Sequence, residues 1–323
     1  MNHHQYLVDL NILCGAERLI LAEGKGKGMS LIRMFNGVFN LMVSVDRCLD
    51  IYRADYRGKN IAFISKNGMV NANLSSLELR FVHTFGGGLL YTCGLDNIGA
   101  PRDGFTQHGS ISYIPAENVH IIYGTEYEKH YVEVSGDMKH TALFGSHLIL
   151  RRSIRLYDNE PKIHIKDDII NQNDRIDQYM LLYHFNLGYP FINEHTTLQI
   201  SDVLETLIHQ YESNRKYTDF RRLEKPNTHQ NEEVFIHKMA MKKAQILVDN
   251  TKEMASLTYE TTRLSHLVQW KSMIKGDYAL GIEPATTDLG NRQYTEIEPF
   301  DHHEFKLEFG IIEHHHKKGE ENE

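Results

Sequence analysis

The sequence predicts an almost all-β chain of large antiparallel sheets packed face to face, with one or two short helices. Three observations carry this. Apolar and polar residues alternate over many short runs, turn signals separate the runs, and no long helical pattern intervenes. With 323 residues and 41% hydrophobic content, the chain can bury a large core. Residues 1–313 read as one domain, and 314–323 as a flexible polar tail.

Taken in order, Leu7, Leu10, Ile12 and Leu13 sit at roughly helical spacing and predict a short helix over Tyr6 to Cys14. The run Gly24-Lys25-Gly26-Lys27-Gly28 lacks the spacing of a phosphate-binding loop and reads as a turn. Period-two alternation begins at Val38 to Val45. Leu74 to Phe81 is the expected internal helix, with Leu74, Leu77 and Phe81 on one face and Ser75 or Ser76 as cap. Strands are then expected at Val119 to Tyr123, Tyr131 to Val134, Leu148 to Leu156, Lys162 to Lys166, Gln178 to Asn186, Val234 to Met239, Ala244 to Val248, Ala255 to Thr262, His266 to Lys271, Tyr278 to Ile282 and Glu304 to Phe309. Ser135-Gly136-Asp137 and Tyr157 to Pro161 read as turns between them. The polar stretch Ser213 to Glu233 reads as a long loop or flap over the sheet.

Composition excludes several classes. A net charge of −8, with 35 Lys and Arg dispersed along the chain, offers nothing to a phosphate backbone, so nucleic acid is not an expected partner. No apolar run approaches the ~20 residues that span a bilayer, and Met1 to Ala16 lacks a signal-like pattern, so the expected location is the cytoplasm. Cys14, Cys48 and Cys93 are odd in number without CxxC spacing, and read as reduced, mostly buried residues. The 20 histidines are mostly isolated, and His302-His303 must point to opposite sheet faces. The tail histidines His314 to His316 read as adventitious metal binders, so neither a metal nor another cofactor is expected.

Three segments resist a packing explanation. Gly86 to Gly99, followed by Gln107-His108-Gly109-Ser110, is rich in glycine, which suits close approach of another group such as a sugar lying against backbone. Leu182-Tyr183-His184-Phe185-Asn186-Leu187-Gly188 delivers a histidine just before a turn. Tyr278 to Thr286 is an apolar strand that ends in Glu283-Pro284.

With Asp46-Arg47-Cys48-Leu49-Asp50-Ile51, Leu90 to Gly99, His108-Gly109-Ser110-Ile111-Ser112, Pro115-Ala116-Glu117 and Gly281-Ile282-Glu283-Pro284, the chain resembles the DUF4432 branch of the aldose 1-epimerase (galactose mutarotase) superfamily. The resemblance runs from about Arg18 to Phe309 and implies a galactose mutarotase-like supersandwich. It also implies that Glu283 is the catalytic base and His184 the acid, with His108 hydrogen-bonding the developing charge. In that scheme Glu283 is ionised and His184 protonated at neutral pH. Two departures stand out: His184 directly precedes Phe185 instead of lying two residues further upstream, and Ser110 stands where this branch is expected to carry Arg.

Arg47, Asp50, Asp96 and Asn97 are candidate sugar ligands, although Arg47 and Asp50 read equally well as a surface ion pair. Trp270 with Lys271 reads as a stacking platform, or Trp270 as a core residue. The expected partner is therefore a small sugar or sugar derivative, and a homodimer would cover long edge strands. Two alternatives stay open: a non-catalytic carbohydrate-binding protein, and a metal-dependent sugar isomerase or lyase using His83, His108, Glu117 or His184.

Overall fold

The computed structural model describes residues 6–72, 80–201, 203–209, 218–228, 232–240 and 242–314. Strands β1 (Gly15–Ile20), β2 (Ser30–Phe35), β3 (Phe39–Ser44), β4 (Asp50–Tyr56) and β5 (Lys59–Asn60) form a five-stranded antiparallel sheet in chain order. Helix α1 (Arg80–Thr84) and strand β6 (Leu90–Leu95) follow. Next come β7 (Glu117–Glu126), β8 (Lys129–Thr141), β9 (His147–Tyr157), β10 (Lys162–Asn171) and β11 (Asp177–Gly188). The rest are β12 (Thr197–Ile200), β13 (Val203–His209), β14 (Glu233–Met239), β15 (Lys243–Asp249), β16 (Glu253–Glu260), β17 (His266–Ile274), β18 (Asp277–Ala285), β19 (Thr295–Ile297) and β20 (His302–Glu313).

Two large antiparallel sheets dominate. One has eight strands in the order β12-β15-β16-β20-β10-β9-β8-β7. The other has seven: β13-β14-β17-β18-β11-β19 run side by side, and β6 pairs with β11. One hydrophobic cluster joins all three sheets through residues such as Leu41, Leu150, Tyr183, Leu257 and Leu280. Among the described residues, no helix is long and apolar enough to cross a membrane.

Arg152 breaks the pattern of that core. It follows Leu150 and precedes Ile154 on the inward face of β9, all three fully buried. Its charge is met by Asp167, directly opposite on β10, at 2.7 Å, and by Asp50 at 2.9 Å. The Tyr183 hydroxyl donates to Asp167 at 2.9 Å, and Thr92 donates twice to Asp50. A buried guanidinium is tolerated only when paired and hydrogen-bonded in this way.

Several expectations change. Tyr6 to Cys14 is not a regular helix: only Leu10–Ile12 forms a 3-10 turn, capped by the Asp9 carboxylate, with no residue buried to stabilise a longer one. Of the expected helix Leu74 to Phe81, residues 74–79 lie outside the described residues, and Arg80 and Phe81 are helical in α1. Ser135 to Asp137 is no turn, because Gly136 packs within β8. Strands β1, β2, β4, β5, β6, β12, β13 and β19 were not anticipated, and β6 is buried on both faces, which erases alternation. Residues 213–217 and 229–231 of the expected flap lie outside the described residues. Thr218, Asp219 and Phe220 cover the face of β17 that carries Gln269 and Lys271: Lys271 donates to Thr218 and Asp219, and Gln269 to the Phe220 carbonyl. Of the expected tail, residues 315–323 lie outside the described residues. The three cysteines are free and buried.

Candidate active site

The second large sheet brings His184 and Glu283 together. Phe185 on β11 lies opposite Ile282 on β18, so this antiparallel register sets the preceding histidine across from the following glutamate. His184 Nε2 stands 3.1 Å from Glu283 Oε1, and both side chains are at most 5% exposed. The contact is close without a hydrogen bond's angular geometry, since Glu283 Oε1 and His184 Nδ1 have no hydrogen-bond partner among the described residues. Asn186 ties the strand in place by donating to the His184 carbonyl at 2.9 Å and to that of Gly88 at 3.1 Å.

His108 comes from the glycine-rich loop. Its backbone is left-handed, and its N–H donates to Gly99 O while its carbonyl accepts from Gly94 N. Asp96 receives both the backbone N–H (2.9 Å) and the hydroxyl (2.6 Å) of Ser110, and Asn97 donates to Ala100 and Thr106 carbonyls at 3.0 Å each. These two side chains therefore brace the loop that presents His108. Gly94 makes room for the protein's own backbone, since a Cβ there would collide with the Met180 carbonyl, while Gly99 lines the cleft described below.

The His108 and His184 rings lie 5.5 Å apart, edge to face. Both face a cleft of about 460 Å³, within the size range of small-molecule sites. Its walls are aromatic. Phe81 packs on His108 at 4.7 Å, while Phe85 and Trp270 pack on His184 at 5.9 and 5.6 Å. The Trp270 indole N–H donates to Glu232 at 2.8 Å, which fixes the ring. Phe81 and Phe85 had no local signal beyond a helical apolar spacing, so sequence reasoning did not place them here.

Burial sets the charge states. It pushes the Glu283 carboxyl well above the usual carboxylate range, with Glu232 adding to the effect. It pushes the His184 imidazole well below its ordinary value, helped by His108, and takes His108 down to about 4. Both directions run against the expectation of ionised Glu283 beside protonated His184 and favour the arrangement with the proton on the carboxyl. The pair carries the same number of protons in either arrangement.

The remaining candidates lie elsewhere. Arg47 is buried, donating to Ser112 O at 2.6 Å and Val70 O at 3.0 Å and lying over the Tyr113 ring, so it is neither a surface residue nor in the cleft. Asp50 is held in the Arg152 network, where burial lifts its carboxyl to about 6. Lys271 faces away from Trp270 and is fully buried against Thr218, Asp219 and Glu224. Among the described residues, no three His, Cys, Asp or Glu side chains gather as a metal-binding group.

The arrangement of these large antiparallel sheets is the galactose mutarotase-like fold. Residues 26–310 match the model of DUF4432, a domain of unknown function, and the chain belongs to that family. No curated protein matches it. The fold is similar to that of a candidate aldose 1-epimerase from Klebsiella pneumoniae (TM-score 0.84, 20% identity, 97% of this chain and 87% of that one). It is also similar to a galactose mutarotase-like protein from Clostridium acetobutylicum (TM-score 0.65, 14% identity, 94% and 100%) and a candidate mutarotase from Salmonella typhimurium (TM-score 0.64, 8% identity, 95% and 96%).

Proposed function

We propose that the chain is an aldose 1-epimerase-like isomerase that opens and recloses a sugar hemiacetal. The single observation that carries this reading is the 3.1 Å approach of His184 Nε2 to Glu283 Oε1 beside the aromatic cleft. A proton passed from the carboxyl to the imidazole arms both groups. Glu283 carboxylate then takes the proton of the anomeric hydroxyl, the bond from C1 to the ring oxygen breaks, and His184 imidazolium protonates that oxygen. Rotation about C1–C2 and the reverse transfers give the other anomer.

Burial favours the middle of this sequence. After ring opening the pair is protonated Glu283 beside neutral His184, the arrangement that the site's low polarity stabilises. His108, neutral at pH 7, offers a hydrogen bond to the ring oxygen without adding charge.

The test is anomer exchange followed by NMR over a panel of reducing sugars. The wild type should accelerate exchange of at least one sugar, and E283Q should lower that rate by about 10²–10⁴-fold while still binding it. Undiminished exchange in E283Q removes Glu283 from the mechanism.

A further inference from the structure

With the ring oxygen of a pyranose at His184 and its anomeric hydroxyl at Glu283, the direction of the rest of the ring follows. Strand β11 runs between β18 and β6, so His184 has Glu283 on one side and Tyr91, its partner on β6, on the other. C2 is bonded to the anomeric carbon and extends past Glu283 toward β17. C5 is bonded to the ring oxygen, so its substituent, C6, extends the opposite way, toward Tyr91.

The two directions differ in chemistry. On the Glu283 side, Glu232 just before β14 lines the cleft and supplies a carboxylate acceptor. On the Tyr91 side the wall is aromatic. Phe81 and Phe85 stack on each other at 4.8 Å, meet Tyr91 edge to face at 5.8 and 5.2 Å, and pack on the rings of His108 and His184. The Tyr91 hydroxyl is met by Ser112 Oγ at 2.6 Å. Asn67 also lines the cleft, but its amide donates to the Val82 and Phe85 carbonyls at 2.9 and 3.1 Å, which holds the two phenyl rings in place. The Lys66–Asp277 ion pair (2.6 Å) is remote: Asp277 stands six residues before Glu283 on β18, roughly 20 Å along the strand. A hydroxymethyl group against Phe81 and Phe85 gives up water without gaining a partner from them, whereas a methyl group there buries apolar surface.

We propose that the substrate is a 6-deoxyhexose, its methyl group seated against Phe81 and Phe85. The proposal rests on the epimerase reading for the placement of the ring oxygen. The experiment measures kcat/KM for anomer exchange by NMR in matched sets of sugars that differ only at C6: galactose, D-fucose and L-arabinose; glucose, D-quinovose and D-xylose; L-mannose, L-rhamnose and L-lyxose. In at least one set the 6-deoxy sugar should exceed the hexose by about 10–100-fold, the cost of an extra hydroxyl in an apolar pocket. It should exceed the pentose about fourfold, the gain from one buried methyl group. Phe81→Ala opens the wall to water and should cut the first ratio about tenfold. Equal or better turnover of the hexose in every set, as a partner such as Gln107 in the cleft would produce, overturns the methyl site and leaves the epimerase standing. A 6-deoxy preference that F81A leaves unchanged overturns the methyl site as well. If no sugar exchanges faster than in buffer, dissociation constants of the same sugars decide: tighter 6-deoxy binding that F81A weakens keeps the methyl site and overturns the epimerase, and absence of that preference overturns both.

Discussion

His108, His184 and Glu283 carry charge states set by burial, and this has a measurable consequence for stability. Unfolded, His108 takes up a proton near pH 6.5; folded, it resists protonation until about 4. Between those values the unfolded chain binds more protons, so stability is intact above 6.5 and is lost as pH falls toward 4. Replacing the residue with a side chain that cannot titrate removes this contribution. Urea denaturation of H108Q should show a loss between pH 6.5 and 4 smaller than that of wild type by about 3 kcal/mol, and identical pH profiles would contradict the assigned burial. At this scale the histidine and the glutamate were singled out by the family resemblance as well as by their place on strand patterns, and the structure brings the two side chains together. Arg47, Asp50 and Lys271 were not: a charged side chain in a local motif looks the same whether it meets a ligand or a buried partner. Lys271 was nonetheless within reach of the sequence, since adjacent strand residues face opposite ways and Trp270 cannot share its face.

Strand β18 shows how an element prepares a site. Gly281 and Glu283 point to the same face, and a Cβ at Gly281 would collide with Glu283 Oε1 and lie 3.0 Å from Trp270 Cβ and 3.1 Å from His184 Cε1. The missing side chain is the space in which carboxylate, imidazole and indole meet. G281A should therefore lower kcat at least tenfold by turning the carboxylate aside, with KM changed much less, as expected when a transition-state contact is lost. A steady-state comparison checks this, and an unchanged kcat would mean the carboxylate tolerates displacement. Alternation made strands such as β3, β9 and β10 readable. It failed for β6, whose two faces are both buried, and for Tyr6 to Cys14, where helical spacing had no surface to pack against.

Across the whole molecule, the Arg152 network links the sheets beneath the site. Arg152 on β9 reaches Asp50 on β4 and Asp167 on β10, and Tyr183, next to His184 but on the opposite face of β11, closes it. Substituting R152L leaves Asp167 buried without its counter-charge. The expected cost is about 3–5 kcal/mol by urea denaturation at pH 7, and a loss below about 1 kcal/mol would show that water or a shifted side chain replaces the guanidinium. Period-two patterning revealed that the chain is a β sandwich, but no local pattern reveals which distant strands exchange charge through its centre. The central claim concerns the pair on the other face of that strand: His184 and Glu283 act as one proton-transfer unit. Anomer-exchange rates of H184N, E283Q and the double variant test it most directly. If the two act together, the double variant loses no more than the worse single one; losses that multiply, or a single variant that keeps wild-type exchange, would contradict it.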